Sequence, residues 1–197
     1  MQVTKIEVGR GKKLRIYLND EAAFQLYPKE VKEYGIREGE ELTQDRIDMI
    51  YSAVLLKRAK LRCLHILKNL DKTEQQLRTK LTEDEYPRDI IDDAIEYVKS
   101  YHYIDDKRYA QSYIESRADR KSKMMIRAEL REKGIDEQII EEALEEADEI
   151  DTDAQILRWA EKKHYDPESA DFKESQKFFA FLMRRGYSYS DIKKALT

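Results

Sequence analysis

Cysteine is nearly missing from this chain. Cys63 is the one thiol in 197 residues, so no internal disulfide can form, no thiol cluster is available for zinc, and an oxidising compartment is not indicated. Breakers are scarce as well, with 3 Pro and 6 Gly, and between Gly39 and Gly134 only Pro87 interrupts the chain. Long stretches are therefore free to be helical, and an all-β or doubly wound fold is hard to accommodate. No apolar run approaches the roughly 20 residues of a membrane span. The opening MQVTKIEVGRGKK also lacks the apolar segment of a signal peptide, so a cytoplasmic protein without membrane contact is expected. The phosphate-binding, dinucleotide-binding, nucleophile-elbow and zinc-protease motifs are all absent. His65, His102 and His164 stand at unrelated positions, and Asp92-Asp93 and Glu141-Glu142 fall on the polar sides of helical patterns, where a solvated face is the simpler reading. No catalytic residue, cofactor or metal is expected, and the chain does not read as an enzyme.

What is abundant is charge. Charged residues make up 40% of the chain, against roughly 25% in ordinary globular domains, while Lys+Arg 37 against Asp+Glu 41 leaves a net charge of only −4. Narrow apolar stripes suit that balance better than a thick core.

The first part differs from the rest. Val3, Ile6 and Val8 precede Gly9-Arg10-Gly11, and Leu14, Ile16 and Leu18 follow at period two, which predicts a β-hairpin with a possible third strand near Ala22 to Leu26. Its basic turn, Arg10 to Lys13, reads either as a phosphate contact or as a solvated hairpin end. From Thr43 the period becomes helical. Ile47, Ile50, Tyr51, Val54, Leu55, Leu61, Leu64, Leu67 and Leu70 form the expected stripe of one long helix that ends at Asn69 and Asp71.

The remainder repeats itself. Leu81, Leu130 and Leu182 align at spacings of 49 and 52 residues. Leu77, Ile126 and Phe178 lie four before them, and Tyr86, Ile135 and Tyr187 five after. Ile91, Ile140 and Ile192 coincide further on, then Ala94, Ala143 and Ala195, then Ile95, Leu144 and Leu196. Gly134 and Gly186 share a column in which the first unit has Glu85, so each unit breaks at one place between two helices. Thr73 with Gln76 and Thr152 with Gln155 have the capping-box spacing. The fold expected is mainly α: three tandem three-helix repeats over residues 43–104, 105–151 and 152–197, forming an elongated curved array, preceded by a β-hairpin extension over residues 1–42.

Charge alternates along the repeats, with residues 57–80 at net +6, 81–104 at −5, 105–134 at +3 and 135–153 at −10. Basic ridges beside acidic ridges either form a working surface or hold the repeats together. In the middle repeat Arg117, Arg120, Lys121, Lys123, Arg127 and Arg131 are the candidate partner-binding residues, lying in a stretch, 117–133, of net +4. Pairing with the acids from Asp136 to Asp153 is the alternative. Tyr97, Tyr101, Tyr103, Tyr109 and Tyr113 also cluster, as packing residues or as stacking platforms.

These residues resemble a known family. Leu61-x-x-Leu64-x-x-Leu67, Thr73-x-x-x-Leu77-x-x-x-Leu81, Tyr103-Ile104-Asp105-Asp106-x-x-Tyr109-Ala110, Arg117, and Ile126-x-x-Glu129-Leu130-x-x-Lys133-Gly134-Ile135 are similar, in order and spacing, to the RecX family of bacterial cytoplasmic regulators of the RecA recombinase. The resemblance covers roughly residues 57–197, and the hairpin is similar to an extension in some members. It implies a non-catalytic inhibitor that binds RecA and its nucleoprotein filament in DNA repair, damping strand exchange and ATP hydrolysis. Members often carry Gly near positions 102 and 122, where this chain has His102 and Ser122; Ser can serve there as a helix N-cap. Direct nucleic-acid binding by the helical repeats is the rival reading, and a pI near 5.6 weighs against a strong autonomous form of it.

A tandem array has a measurable consequence in solution. The protein is expected to be a monomer with a radius of gyration clearly above the compact value of roughly 16 Å for this length. Small-angle scattering at that compact value overturns the elongated array.

Overall fold

Alternation of apolar residues places Val3, Ile16, Leu18, Phe24 and Leu26 on one buried face of a three-stranded antiparallel sheet ordered β1 (Val3–Val8), β2 (Leu14–Leu18), β3 (Glu21–Leu26). The expected hairpin is therefore present, and the third strand extends it. Asn19 and Asp20 both have positive φ, 49° and 68°, the geometry of the tight hairpin turn whose twist matches that of the strands. This computed structural model describes residues 1–197 except 69, 148 and 149. The chain divides into two units, Met1–Asp105 and Asp106–Thr197.

In the first unit a short helix, α1 (Pro28–Glu33), follows the sheet, and the chain returns along β1, where the Val3 amide donates to the Glu40 carbonyl at 2.9 Å. The long helix expected from Thr43 runs as α2 (Gln44–Ile50), a π-helical stretch (Tyr51–Leu56) and α3 (Lys57–Leu67); the end expected at Asn69 lies outside the described residues. The π stretch corrects the expected stripe. Its wider turns shift the register, so that Leu55, Ala59 and Cys63 take the buried seats while Leu61 is 58% and Leu70 66% exposed. Burial pushes the Cys63 thiol up to about 11, which leaves it an inert core side chain.

α4 (Glu74–Glu83) and α5 (Arg88–Ser100) complete the first repeat. Thr73 and Gln76 form the predicted capping box, with the Gln76 amide donating to Thr73 Oγ1 at 3.2 Å. The second unit holds α6 (Asp106–Glu115), α7 (Lys123–Glu132) and α8 (Glu137–Glu145), then α9 (Thr152–Lys163), α10 (Phe172–Met183) and α11 (Tyr189–Ala195). Ile126, Leu130, Ile135 and Ile140 occupy one core, and Phe178, Leu182, Tyr187 and Ile192 the equivalent seats of another. The capping box expected at Thr152 is not formed. Asp151 caps α9 instead, accepting from the Ala154 amide at 2.9 Å, because Gln155 is turned inward and engaged elsewhere.

The column of Glu85, Gly134 and Gly186 is the common turn. All three have positive φ, 59°, 80° and 82°. The residue after each donates its amide to the carbonyl five back: Tyr86 to Leu81 at 3.2 Å, Ile135 to Leu130 at 3.2 Å, Tyr187 to Leu182 at 3.3 Å. This is the Schellman closure of a helix. His102 and His164, at φ 54° and 51°, close α5 and α9 with the same bond, from Tyr103 to Val98 at 2.9 Å and from Tyr165 to Ala160 at 2.9 Å. The left-handed turn is thus kept at position 102 without glycine.

Glu85 sits in that conformation for a reason of its own. Its carboxylate receives Arg15 Nε at 2.9 Å and Nη2 at 2.7 Å, together with Gln25 Nε2. The Arg15 guanidinium, ahead of Gln25, holds its pKa below the ordinary carboxylate range. Beside it Arg10 donates to the Glu83 carbonyl, and Lys13 lies 5.6 Å from the centre of the Tyr86 ring. The basic hairpin turn is therefore engaged with the first repeat's own turn.

Leu130 is fully buried at the centre of its column. Leu130→Ala is expected to cost about 2–5 kcal/mol, read in chemical denaturation. A loss below about 1 kcal/mol would mean that the column does not carry the repeat.

Candidate functional site

The candidate residues of the middle repeat lie on the corner between α6 and α7. The backbone from Arg117 to Lys121 winds in tight turns, with the amides of Arg120 and Lys121 donating to the Arg117 carbonyl at 2.9 and 3.0 Å. Ser122 ends the corner as the N-cap of α7. Its Oγ accepts from the Met125 amide at 3.3 Å and donates to the Arg185 carbonyl at 2.7 Å. A Cβ on Gly186 would come within 2.6 Å of that Oγ, so the α10–α11 turn must be bare there. Buried Gln155 locks the same corner to α9. Its Nε2 donates to the carbonyls of Ala118 and Lys121, and its Oε1 accepts from the Tyr187 hydroxyl at 2.9 Å. One amide thus joins both repeats of this unit through three hydrogen bonds, all its polar atoms being satisfied in a buried setting.

The six candidates divide by partner. Arg127 donates to Glu141 at 2.7 Å, and Arg131 meets Glu137 through Nε at 2.9 Å and Nη2 at 2.7 Å. Pairing within the repeat therefore claims these two. Lys121 reaches Glu129, which also accepts from the Tyr113 hydroxyl at 2.7 Å. Burial works against the Glu129 charge, but Lys121 and Tyr113 outweigh it and hold its pKa below the usual carboxylate range. Arg117 stacks over the Tyr113 ring at 5.3 Å. Only Arg120 and Lys123 project exposed with no carboxylate partner among the described residues, and Met124 beside them is 58% exposed.

The same pairing recurs in the first repeat. Arg78 pairs with Asp92 at 2.5 Å in the first repeat, at the positions equivalent to Arg127 and Glu141. In both repeats an arginine of the second helix meets a carboxylate of the third. In the third repeat the equivalent seats are Phe179 and Lys193, and Phe179 packs instead on Tyr189, with ring centres 5.4 Å apart. Of the tyrosines, Tyr97, Tyr109 and Tyr113 pack against the cores. Tyr101 and Tyr103 do not. They are 60% and 48% exposed and stack on one another at 6.0 Å.

Sequence patterning missed a second cationic group. A cleft of about 460 Å³ is lined by Asp119, Arg120, Gln155, Arg158, Trp159 and Lys162. No single stretch of sequence signals it, since the cations come from the α6–α7 corner, from α9 and, through Arg185 over the Trp159 ring at 4.5 Å, from the α10–α11 turn.

Comparison with known proteins gives three matches in chain order. Residues 59–97 match the first three-helix domain of RecX, 105–144 the second and 151–196 the third. A regulatory protein RecX from Clostridium acetobutylicum is 31% identical over 98% of this chain and 94% of its own length. One from Clostridium perfringens is 31% identical over 95% and 91%. A crystal structure of a regulatory protein RecX superposes with a TM-score of 0.65 at 28% identity, covering 98% of both chains. The RecX structure from Lactobacillus salivarius gives 0.65 at 24% identity over 73% of this chain and 95% of its own.

The division among the candidates is testable without any partner. Arg127→Glu sets a third carboxylate against Glu137 and Glu141 and is expected to cost about 1 kcal/mol, whereas Arg120→Glu changes stability by less than about 0.5 kcal/mol. Equal losses in urea denaturation would show that the Arg127 pairing contributes nothing.

Proposed function

Because this chain belongs to the RecX family of regulatory proteins, we propose that it is a non-catalytic inhibitor of a RecA-type recombinase, binding the recombinase and its nucleoprotein filament. The observation that carries this reading is the order of the three matched three-helix domains along one chain. Similar units in series can engage successive subunits of a helical lattice, gaining affinity by effective concentration as well as area. Contacts of that kind oppose the subunit motions on which filament turnover depends, so strand exchange and ATP hydrolysis both slow. The contact on this side is the corner of the middle repeat, with Arg120, Lys123 and exposed Met124 at its centre. Arg117, Lys121, Arg127 and Arg131 are engaged by Tyr113 and by glutamates of the same repeat. Charge without internal partners is available to an acidic surface at little desolvation cost, and an exposed methionine adapts to an irregular one.

The test is recombinase ATP hydrolysis on single-stranded DNA with increasing amounts of this protein. The parent inhibits, and Arg120→Glu with Lys123→Glu raises the amount needed for half inhibition by about tenfold or more while melting temperature and helicity stay put. Inhibition unchanged at equal salt removes the corner as the contact. No inhibition by the parent overturns the function itself.

A further inference from the structure

The cleft beside Gln155 shares Arg120 with the α6–α7 corner and adds chemistry that the corner does not use. Its floor is Trp159, half-buried, and its rim carries Arg120, Arg158 and Lys162. Arg185 lies 4.5 Å from the Trp159 ring centre and Lys162 5.2 Å. Among the described residues, Arg120, Lys162 and Arg185 have no carboxylate partner. The single acid in the cleft, Asp119, is a solvated one, with its side chain 85% exposed and 3.5 Å from Arg158. Two cations, Lys162 and Arg185, therefore sit over the Trp159 ring, and Arg120 and Arg158 share its cleft, with one acid to offset them. Arg127 and Arg131 nearby each meet a glutamate of their own repeat.

A ring framed by cations fits a ligand that is itself an aromatic plane joined to an anion. That is a nucleotide unit, whose base stacks on an aromatic or guanidinium plane while its phosphate meets Lys and Arg. Lys123, also without a carboxylate partner among the described residues, follows Arg120 along the same corner. Its neighbour Ser122 is bonded to the Arg185 carbonyl at 2.7 Å, which ties the corner that carries Lys123 to the turn that carries Arg185. We propose that this cleft binds single-stranded nucleic acid, with one base against Trp159 and Arg185 and the flanking phosphates on Arg120, Arg158 and Lys162. The proposal stands apart from the recombinase reading and holds for a bare strand.

Trp159 is the only tryptophan in the chain, so its emission reports directly on the cleft. Titrating the whole protein with a short oligothymidylate at low salt is expected to quench that emission by roughly a third or more. The apparent affinity should fall steeply as salt rises. Arg158→Glu with Lys162→Glu, both exposed, should weaken binding of a dye-labelled strand about tenfold or more, while Lys29→Glu in the other unit, the same charge change per site, leaves it within about twofold. Trp159→Phe should retain most of the binding that Trp159→Ala loses.

Binding of the strand with Trp159 emission unchanged overturns the proposal, as does parental affinity in the Arg158/Lys162 variant. Equal quenching by free mononucleotide, at the same nucleotide concentration, overturns the strand in favour of a small ligand. Equal quenching by polyglutamate at the same charge reduces the cleft to unspecific anion attraction and overturns it too. Recombinase ATP hydrolysis is read in parallel with the Arg158/Lys162 variant. Lost strand binding with inhibition intact supports the cleft independently of the recombinase reading, whereas intact strand binding with lost inhibition overturns the cleft alone.

Discussion

The left-handed residue that closes the second helix of each repeat is the constraint on which the rest of the helical architecture depends. At Glu85, Gly134 and Gly186 the backbone turns to positive φ, which lets the next residue bond back to the carbonyl five positions earlier and drops its side chain into the core. That placement buries Tyr187 and Ile135, and it starts the third helix at the angle that brings Ile91, Ile140 and Ile192 onto the same core. A helix that simply ran on would carry these apolar columns around to solvent. The cost of the turn is small where glycine provides it and roughly 1–2 kcal/mol where it does not. The first repeat tolerates that cost because the Glu85 carboxylate meets Arg15 and Gln25 of the sheet.

Once the turns are set, charge does the finer arranging. Arg78 with Asp92 and Arg127 with Glu141 occupy equivalent seats, so part of the alternation of net charge along the sequence is the attraction of one helix for the next. Surface pairs of this sort are individually weak. Their consistent sign matters because it pairs Arg127 and Arg131 within the middle repeat and leaves Arg120 and Lys123 beside them without carboxylates among the described residues.

Much of this was legible in the sequence. The hairpin, the repeat register and the buried columns follow from periodicity, since period two and period 3.6 leave different marks and three copies of one pattern reinforce each other. The misreadings have a common cause, which is tertiary structure overruling local spacing. The Thr152–Gln155 spacing suggested a cap, yet Gln155 has a better use against the α6–α7 corner. Leu61 has the spacing of a core leucine, yet the π stretch before it turns it outward. Within the basic stretch 117–133, only the fold distinguishes Arg127, which has a glutamate opposite, from Arg120, which has none. The Trp159 cleft draws on three separate segments, so no window along the chain could have shown it.

The exchange of glycine for glutamate at position 85 also bears on how the repeats could be rearranged. The turn at Gly186 is fitted to Ser122 of the repeat before it, but as glycines both Gly134 and Gly186 take positive φ without strain. Glu85 does not. Moved behind another repeat, it would keep the backbone strain and lose the arginine that offsets it, and the sheet would lose the carboxylate that receives Arg15. The first repeat is thereby confined to the position after the sheet, which gives the series a fixed starting point and a direction in which it can be lengthened.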